Sequence, residues 1–442
     1  MRFARYIKQP FLCLLVVVVA SCSGEQDTGD KSAKSATGAA RGTERFYGWE
    51  SVTLMNSFAR LTIVPELGGK IMGYEPIGQQ VLWHNPVHEG EIDYFHENDL
   101  GEQFRNTGGA KVWPAPQGKW GGPPDRVLDG LPYEFTREGS IITLTSPEDN
   151  GEGRTGLQFI NQYSLIPGST IATLKLSMKN VIDQPIEWAL WSLATIAAKP
   201  SGTIYIPVDD GNWNQMHGEA DPEQWQGVKN GMFSARFTPS IGKVGMKVRE
   251  GWAAWHDPEQ EIVYAILFTV EKGSDYPHGG HHFEIWSTGE VKNEDGVVDP
   301  SLANMELEVL GPLAKLNPGE VKDMEVQWAV CRCSNVVDVF SLGVISEEIT
   351  MDEENVVTGK FGVFYSGYLE EYFIDKDGNK KGRTKVMDVS PFTEVQFKRK
   401  PVLPANADRL LYQIRRYDHS LVGVVAEIKL GEFDPQEVFE KK

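Results

Sequence analysis

The stretch Gly108-Gly-Ala-Lys-Val-Trp-Pro-Ala-Pro-Gln-Gly-Lys-Trp-Gly-Gly-Pro-Pro-Asp125 gathers residue types that handle sugars. Its prolines and glycines predict an irregular, stiff loop that holds Trp113 and Trp120. Two such rings either pack into a core or stack on the apolar face of a pyranose, with Lys111, Gln117 and Lys119 beside them to bind hydroxyls. A second group lies in Tyr276-Pro-His-Gly-Gly-His-His-Phe-Glu-Ile-Trp286, where His278, His281 and His282 precede a strand. Alternation along that strand puts His282 and Glu284 on one face, with Trp286 next. His217 follows Gly211-Asn-Trp-Asn-Gln-Met216, a loop able to close over a cleft. Three imidazoles near acids could ligate a metal. However, Gly279-Gly280 denies them a helical two-His spacing, and the acidic loops Asp149–Gly153 and Glu294–Asp299 follow no calcium-loop pattern. No metal and no other cofactor is expected.

The elements that must position these residues are strands. Val52–Asn56, Ala59–Val64, Ile141–Thr145, Thr170–Ser177 and Ile262–Phe268 combine β-branched or aromatic residues with period-two alternation and Gly, Pro, Asn or Asp borders. Glycine (45) and proline (25) are abundant, which suits short strands joined by turns. Long segments of helical period are scarce. The best is Asn335–Ile349, with Ser334 as a cap. The fold class is therefore all-β, with a main domain over 44–333, a linker at 334–349 able to form a helix, and a small β-sandwich from 350 to 442. In the latter, Val356–Tyr365, Tyr368–Ile374, Glu394–Lys398, Arg409–Arg415 and Val422–Leu430 read as strands, and the Asp-Gly of Asp375–Asn379 as a hairpin turn. His419 reads as a turn residue.

Three segments of the main domain carry a resemblance. Pro65-Glu-Leu-Gly-Gly-Lys-Ile-Met72 resembles the opening hairpin of the galactose-mutarotase-like superfamily. The Lys-Val-Trp-Pro-Ala-Pro-Gln and Trp-Gly-Gly-Pro-Pro-Asp pieces of the Trp113 loop are similar to those of a bacterial lipoprotein family within it. Met305–Glu320, with its Pro-Gly-Glu turn, resembles the superfamily's closing strands. The resemblance implies a β-supersandwich with a sugar-accommodating cleft on the concave face of one sheet. Mutarotases of that superfamily open and reclose a cyclic hemiacetal, for which one group must take the anomeric proton while another protonates the ring oxygen. Glu306 falls where their catalytic Glu lies, with Glu308 two residues on, and Lys111 lies where they place a substrate-binding Arg. The match departs at the acid: in Glu187-Trp-Ala-Leu-Trp-Ser-Leu193, Trp191 stands near the position of the first His. An acid would have to come from elsewhere, with His282 or His217 as the candidates.

The N-terminus reads as an address. Arg2, Arg5 and Lys8 precede the apolar run Phe11–Ala20, which is too short to span a bilayer. Val19-Ala20-Ser21-Cys22 resembles the bacterial lipobox, which implies a lipoprotein signal peptide at 1–21, lipidation of Cys22 and anchoring to the cell envelope. Ser23 after the Cys favours the outer membrane where one exists. Residues 22–43 are small and polar and read as a flexible tether. Cys331 and Cys333 sit two apart on one strand and read as free thiols.

The 442 residues carry 43 Lys and Arg against 62 Asp and Glu, a net charge of −19 that argues against a nucleic-acid partner. The leading expectation is a membrane-anchored carbohydrate-binding protein that holds its ligand through Lys111, Trp113, Gln117, Trp120, Trp191, Glu284 and Glu308. One alternative is an aldose 1-epimerase-like mutarotase with Glu306 as base and a His as acid. The other is a structural envelope lipoprotein that docks a partner.

Overall fold

The computed structural model describes residues 2–3, 44–92, 95–98, 101–122 and 124–430. Cys22, the tether at 22–43 and the rest of the leader beyond Arg2 and Phe3 lie outside the described residues. No helix among the described residues is long and apolar enough to cross a membrane.

The main domain is built from antiparallel strands in two broad sheets. The first runs through Trp49–Met55, Ala59–Val64 and Lys70–Pro76 to Ala110–Ala115. It continues through Ile186–Ala197, Asn304–Leu310, Phe283–Ser287 and Gly242–Val248. The second runs from Glu134–Glu138 through Ile141–Thr145, Leu157–Leu165, Ala172–Asn180, Val321–Arg332 and Ile262–Phe268 to Trp252–Asp257. Thr203–Gly218 serves both: its first residues pair with Trp252–Asp257 and Met232–Arg236, and its last with Gly242–Val248. The chain passes from one sheet to the other between Pro207 and Val208, and its register with Gly242–Val248 then breaks between Val208 and Trp213. This all-β supersandwich matches the expected class.

Between the sheets lies one apolar core. Ile285, Leu307 and Val309 enter it from the first sheet, and Leu174, Tyr264 and Trp328 from the second. Tyr74 fills its centre, 5.7 Å from Trp328, and its hydroxyl donates to Thr170 O at 2.6 Å. The second sheet is apolar on its outer face as well. Trp252, Val263, Ala265, Leu267, Ala329 and Cys331 pack there against Val339, Val344 and Phe364 of the C-terminal region. A strand buried on both sides reads as a continuous apolar run, which is the pattern of Ile262-Val-Tyr-Ala-Ile-Leu-Phe268.

The C-terminal region is a second sandwich. One sheet holds Asp338–Phe340, Gly343–Met351, Val357–Val363 and Val395–Arg399, with Arg2–Phe3 at its edge. The other holds Lys380–Val389, Gly367–Asp375, Ala407–Arg415 and Leu421–Lys429. Asp375 Oδ1 accepts from the amides of Asp377 and Asn379, and Gly378 takes a φ of 83°, so the Asp-Gly turn forms as expected. His419 sits in a turn and meets the Tyr368 hydroxyl at 2.9 Å. The expected helix at 335–349 is not there. Instead Asp338–Phe340 and Gly343–Met351 form a hairpin, and the sandwich begins before residue 350. Val344 faces the main domain while Ile345 enters the sandwich core, so both faces of this strand are buried. Double burial produced the apolar spacing that resembled a helical stripe.

Cys331 and Cys333 are free and fully buried at the junction of the two domains. Burial pushes the Cys331 thiol well above its usual range. Gly362 lies against it: a Cβ there would sit 2.5 Å from Cys331 Sγ and 2.6 Å from Arg332 O. Replacing Gly362 with Val should therefore destabilise the protein by about 1–3 kcal/mol through overpacking. Urea denaturation checks this, and an unchanged midpoint would show that the junction is looser than described.

Candidate functional site

Strand register assembles the site. In an antiparallel sheet, directly opposed residues share a face. Lys111 is opposite Leu193, Leu193 opposite Glu308, Glu308 opposite Glu284, and Glu284 opposite Gly245. In the next row Thr195, Glu306, Trp286, Lys243 and His217 follow in the same way. A third row pairs Trp113 with Trp191, and Trp191 with Leu310. Residues between these, such as Ile285, Leu307 and Val309, point into the core. The open face of the first sheet thus receives Lys111, Trp113, Trp191, Glu284, Glu306 and Glu308 together.

The loop expected at 108–125 is only partly a loop. Ala110–Ala115 is a strand of the sheet, so Trp113 stands on a rigid element. Pro114 is tolerated because beyond Ala110 this strand pairs on one side alone, with Ile186–Ala197. The irregular part begins at Pro116. There Gln117 and Lys119 are exposed, and Trp120 is half-buried, its Nε1 donating to Pro114 O at 2.8 Å. The Trp120 ring meets Trp113 edge-on at 5.6 Å, and Trp113 meets Trp191 at 5.5 Å.

Ion pairs and hydrogen bonds link the face from one side to the other. Lys243 Nζ lies 2.8 Å from Glu284 Oε2 and 2.9 Å from Glu308 Oε2, and 4.6 Å from the Trp191 ring centre. Trp191 Nε1 donates to Glu308 Oε2 at 2.9 Å. Lys111 Nζ lies 3.0 Å from Glu306 Oε1 and 4.4 Å from the Trp113 ring centre. Trp113 Nε1 donates at 2.8 Å to Asp129, which pairs with the buried Lys70 at 3.4 Å. Gly68 makes that pair possible: a Cβ there would sit 2.0 Å from the Asp129 carbonyl oxygen. Burial pushes both Lys70 and Asp129 toward their neutral forms, against their mutual attraction.

Two histidines complete the network, and they are not the two that were expected. His278 Nδ1 lies 2.9 Å and His281 Nδ1 3.1 Å from Glu284 Oε1. The amide of Gln117 donates to His278 Nε2 at 3.0 Å, so the ring proton sits on Nδ1 and is directed at Glu284. His278 has a φ of 53°, with Gly279 at 87° and Gly280 at 94°; this left-handed turn swings the ring back over the sheet. His281 Nε2 lies 2.8 Å from Asn214 Oδ1, and its ring occupies the space that a Cβ on Gly245 would fill, at 2.0 Å. By contrast, His282 Nδ1 accepts from the Val248 amide at 3.1 Å, its ring packs on Tyr276, and burial lowers its pKa. It makes no hydrogen bond to the carboxylates. His217 stands exposed at the rim, 5.5 Å from the Trp286 ring.

Sequence reasoning missed Lys243, Asn214, Asp129 and Lys70, and underrated His278 and His281. The Gly279-Gly280 pair and Gly245 were the available signals, since both make room for an imidazole. Lys243 carried no local mark.

Charge on the face is divided unequally. Burial opposes ionisation of Glu284, but hydrogen bonds from His278 and His281 and the charge of Lys243 hold it well below the usual carboxylate range. Burial, with Glu284 and Glu306 nearby, pushes Glu308 up to about 8 despite Lys243. Glu308 Oε1 is buried without a hydrogen-bond partner. Lys243 stays charged, because the two carboxylates outweigh its desolvation. Depth separates the roles further. Glu284, Glu308 and Trp191 are at most 1% exposed and lie beneath the layer formed by the other expected residues. Lys111, Glu306 and Trp113 reach the surface at 6–9% exposure, beneath a rim of Gln117, Trp120, His217 and Trp286. Among the described residues, no group of three His, Cys, Asp or Glu side chains is placed to hold a metal.

No protein-family model matches the chain, and no curated protein sequence matches it. Solved structures share the outline of its fold. A TPR-domain containing protein from Parabacteroides distasonis is 18% identical, with a TM-score of 0.48 over 70% of this chain and 51% of that one. The chain thus spans about half the length of that protein. A galactose mutarotase related enzyme from Lactobacillus acidophilus is 11% identical, with a TM-score of 0.42 over 65% of this chain and 100% of that one. A galactose mutarotase-like protein from Lactobacillus casei is 10% identical, with a TM-score of 0.41 over 63% and 99%.

The state of Glu308 yields a pH prediction. Its folded pKa of about 8 lies above the ordinary value of 4.5, so protonation favours the folded chain. Its stabilising contribution is complete below pH 4.5 and is lost as pH rises toward 8. Glu308→Gln, which keeps the shape without the titration, should lose less stability between pH 5 and 8 than the parent. Urea denaturation at both pH values measures the difference, and equal slopes would mean that Glu308 is ionised throughout.

Proposed function

We propose that this protein binds a carbohydrate on the open face of its first sheet. The observation that carries the reading is the Lys111–Glu306 pair: a buried cation and a carboxylate meet the surface side by side, framed by Trp113 and Trp120. Sugar hydroxyls both donate and accept, so a paired ammonium and carboxylate serves them better than a lone charge would. Aromatic edges and faces supply the apolar contact that a pyranose offers between its hydroxyls. The Lys-Val-Trp-Pro-Ala-Pro-Gln strand and the following Trp-Gly-Gly turn supply Lys111, Trp113 and Trp120, and the strand Asn304–Leu310 supplies Glu306. Cys22, lipidated in the mature chain, would hold the site at the envelope surface on a tether of about twenty residues.

A mutarotase is the second reading, and the placement of Glu306 favours it: its carboxylate is the least buried acid of the face and could take an anomeric proton. Binding ranks first because Glu306 is already neutralised by Lys111, and both nitrogens of His278 are occupied.

Calorimetric titration with neutral oligosaccharides tests the leading reading. Lys111→Met and Trp120→Ala should each weaken binding by about tenfold or more, the scale of one charge-assisted hydrogen bond. Binding unchanged by both substitutions would remove the ligand from this face. Polarimetry of glucose and galactose anomers runs alongside. Acceleration abolished in Glu306→Gln would replace binding with epimerisation as the principal role. For the anchor, expression in a bacterial host followed by detergent phase partitioning should place the parent in the detergent phase and Cys22→Ser in the aqueous phase. Equal partitioning would refute lipidation.

A further inference from the structure

A groove at the far edge of the second sheet has a different chemistry. The hairpin Trp225–Lys229 and Met232–Arg236 turns at Asn230-Gly231, both at positive φ (54° and 73°), the two-residue turn that such hairpins favour. Beside it lies a cavity of about 570 Å³, within the size range of small-molecule sites, lined by Glu223, Gln226, Lys229, Arg236, Phe237 and Thr238. Everywhere on the open face described above, cations are matched by carboxylates. Here Lys229 and Arg236 form no ion pair among the described residues, in a chain whose net charge is −19. They sit at opposite ends of the hairpin, four residues of strand apart, or about 13 Å along the backbone.

We propose that this groove is a second binding site, for an acidic oligosaccharide that carries carboxylates on more than one sugar unit. Two cations at that spacing suit two carboxylates on a short chain of sugars better than one group on a single ring. Arg236 offers the planar fork that engages a carboxylate through two parallel hydrogen bonds, and Lys229 offers a point charge. Phe237 supplies an apolar surface in the lining, and Gln226 stiffens the groove, its Nε2 donating to Glu223 O at 3.4 Å and its Oε1 accepting from Ser234 Oγ at 3.0 Å. Glu223, also in the lining, accepts hydroxyls and repels a densely charged polyanion, which narrows the ligand to sugars with spaced carboxylates.

Titration with trigalacturonate, with maltotriose as a neutral control of equal length, tests the site. The parent should bind trigalacturonate more tightly than maltotriose here, with an affinity that falls as salt rises. Lys229→Ala and Arg236→Ala should each weaken trigalacturonate binding by about tenfold, and the double variant should lose the preference. Lys111→Met should leave it intact, which separates this site from the one on the open face. The proposal is overturned if the parent shows no preference for trigalacturonate, if the double variant keeps it, or if Lys111→Met abolishes it. Circular dichroism confirms that each variant is folded before its titration is interpreted.

Discussion

Glu284 and Glu308 are placed directly opposite each other on paired strands, and everything on the open face follows from how that conflict is resolved. Like charges in that position repel, and here both are buried. One ammonium, Lys243, lies between them within 3 Å of each, but a single cation cannot neutralise two carboxylates. Two imidazoles turn their Nδ1 atoms to Glu284 and favour its charged form, whereas burial favours the neutral form of Glu308. The histidines, the lysine and both acids are then one unit. Removing Lys243 would take away the cation that meets both acids, and breaking a buried pair in this way costs about 3–5 kcal/mol in comparable cases.

That constraint explains why the face is built from rigid pieces. Trp191 is caught between Glu308 Oε2 and the Lys243 ammonium, and it in turn sets the edge of Trp113. Trp113 holds Asp129, and Asp129 holds Lys70 beneath the Gly68-Gly69 hairpin. Lys111 and Glu306 sit on top of this lattice with little freedom left to lose. A site whose groups are fixed before the ligand arrives loses less entropy on binding.

Much of the fold was legible because strand alternation is a local signal. Val52 to Val64, Ile141 to Thr145 and the Asp-Gly hairpin near residue 377 all formed where the pattern placed them. The failures share one cause. At 335–349 and at 110–115, tertiary pairing decided the outcome: burial on two faces disguised a strand as a helix, and an unpaired strand edge accommodated a proline that local rules would assign to a loop. The site shows the same division. Trp113, Glu306 and Lys111 were found through their types and surroundings, whereas Lys243 was not, because its importance comes only from the two acids brought to it by strands that follow much later in the chain. His282 was preferred over His278 on alternation, yet the Gly279-Gly280 turn breaks alternation at that point.

The two sheets of the main domain solve opposite problems on their outer faces. The second sheet leaves Trp252, Val263, Ala265 and Leu267 pointing outward, and the C-terminal sandwich covers them. An apolar surface needs only contact, so one docked domain suffices, and close approaches such as Gly362 on Cys331 set how tightly it docks. The first sheet has no such cover over its charged rows. Its outward side chains satisfy one another: Lys243 bridges two acids, and Trp113 and Trp191 donate their indole protons to carboxylates. The face is thus closed by its own hydrogen bonds, with the Lys111–Glu306 pair nearest its surface. The C-terminal sandwich meets only the apolar demand: it covers the outward rings and aliphatic side chains of the second sheet, while the first sheet balances its charges within itself.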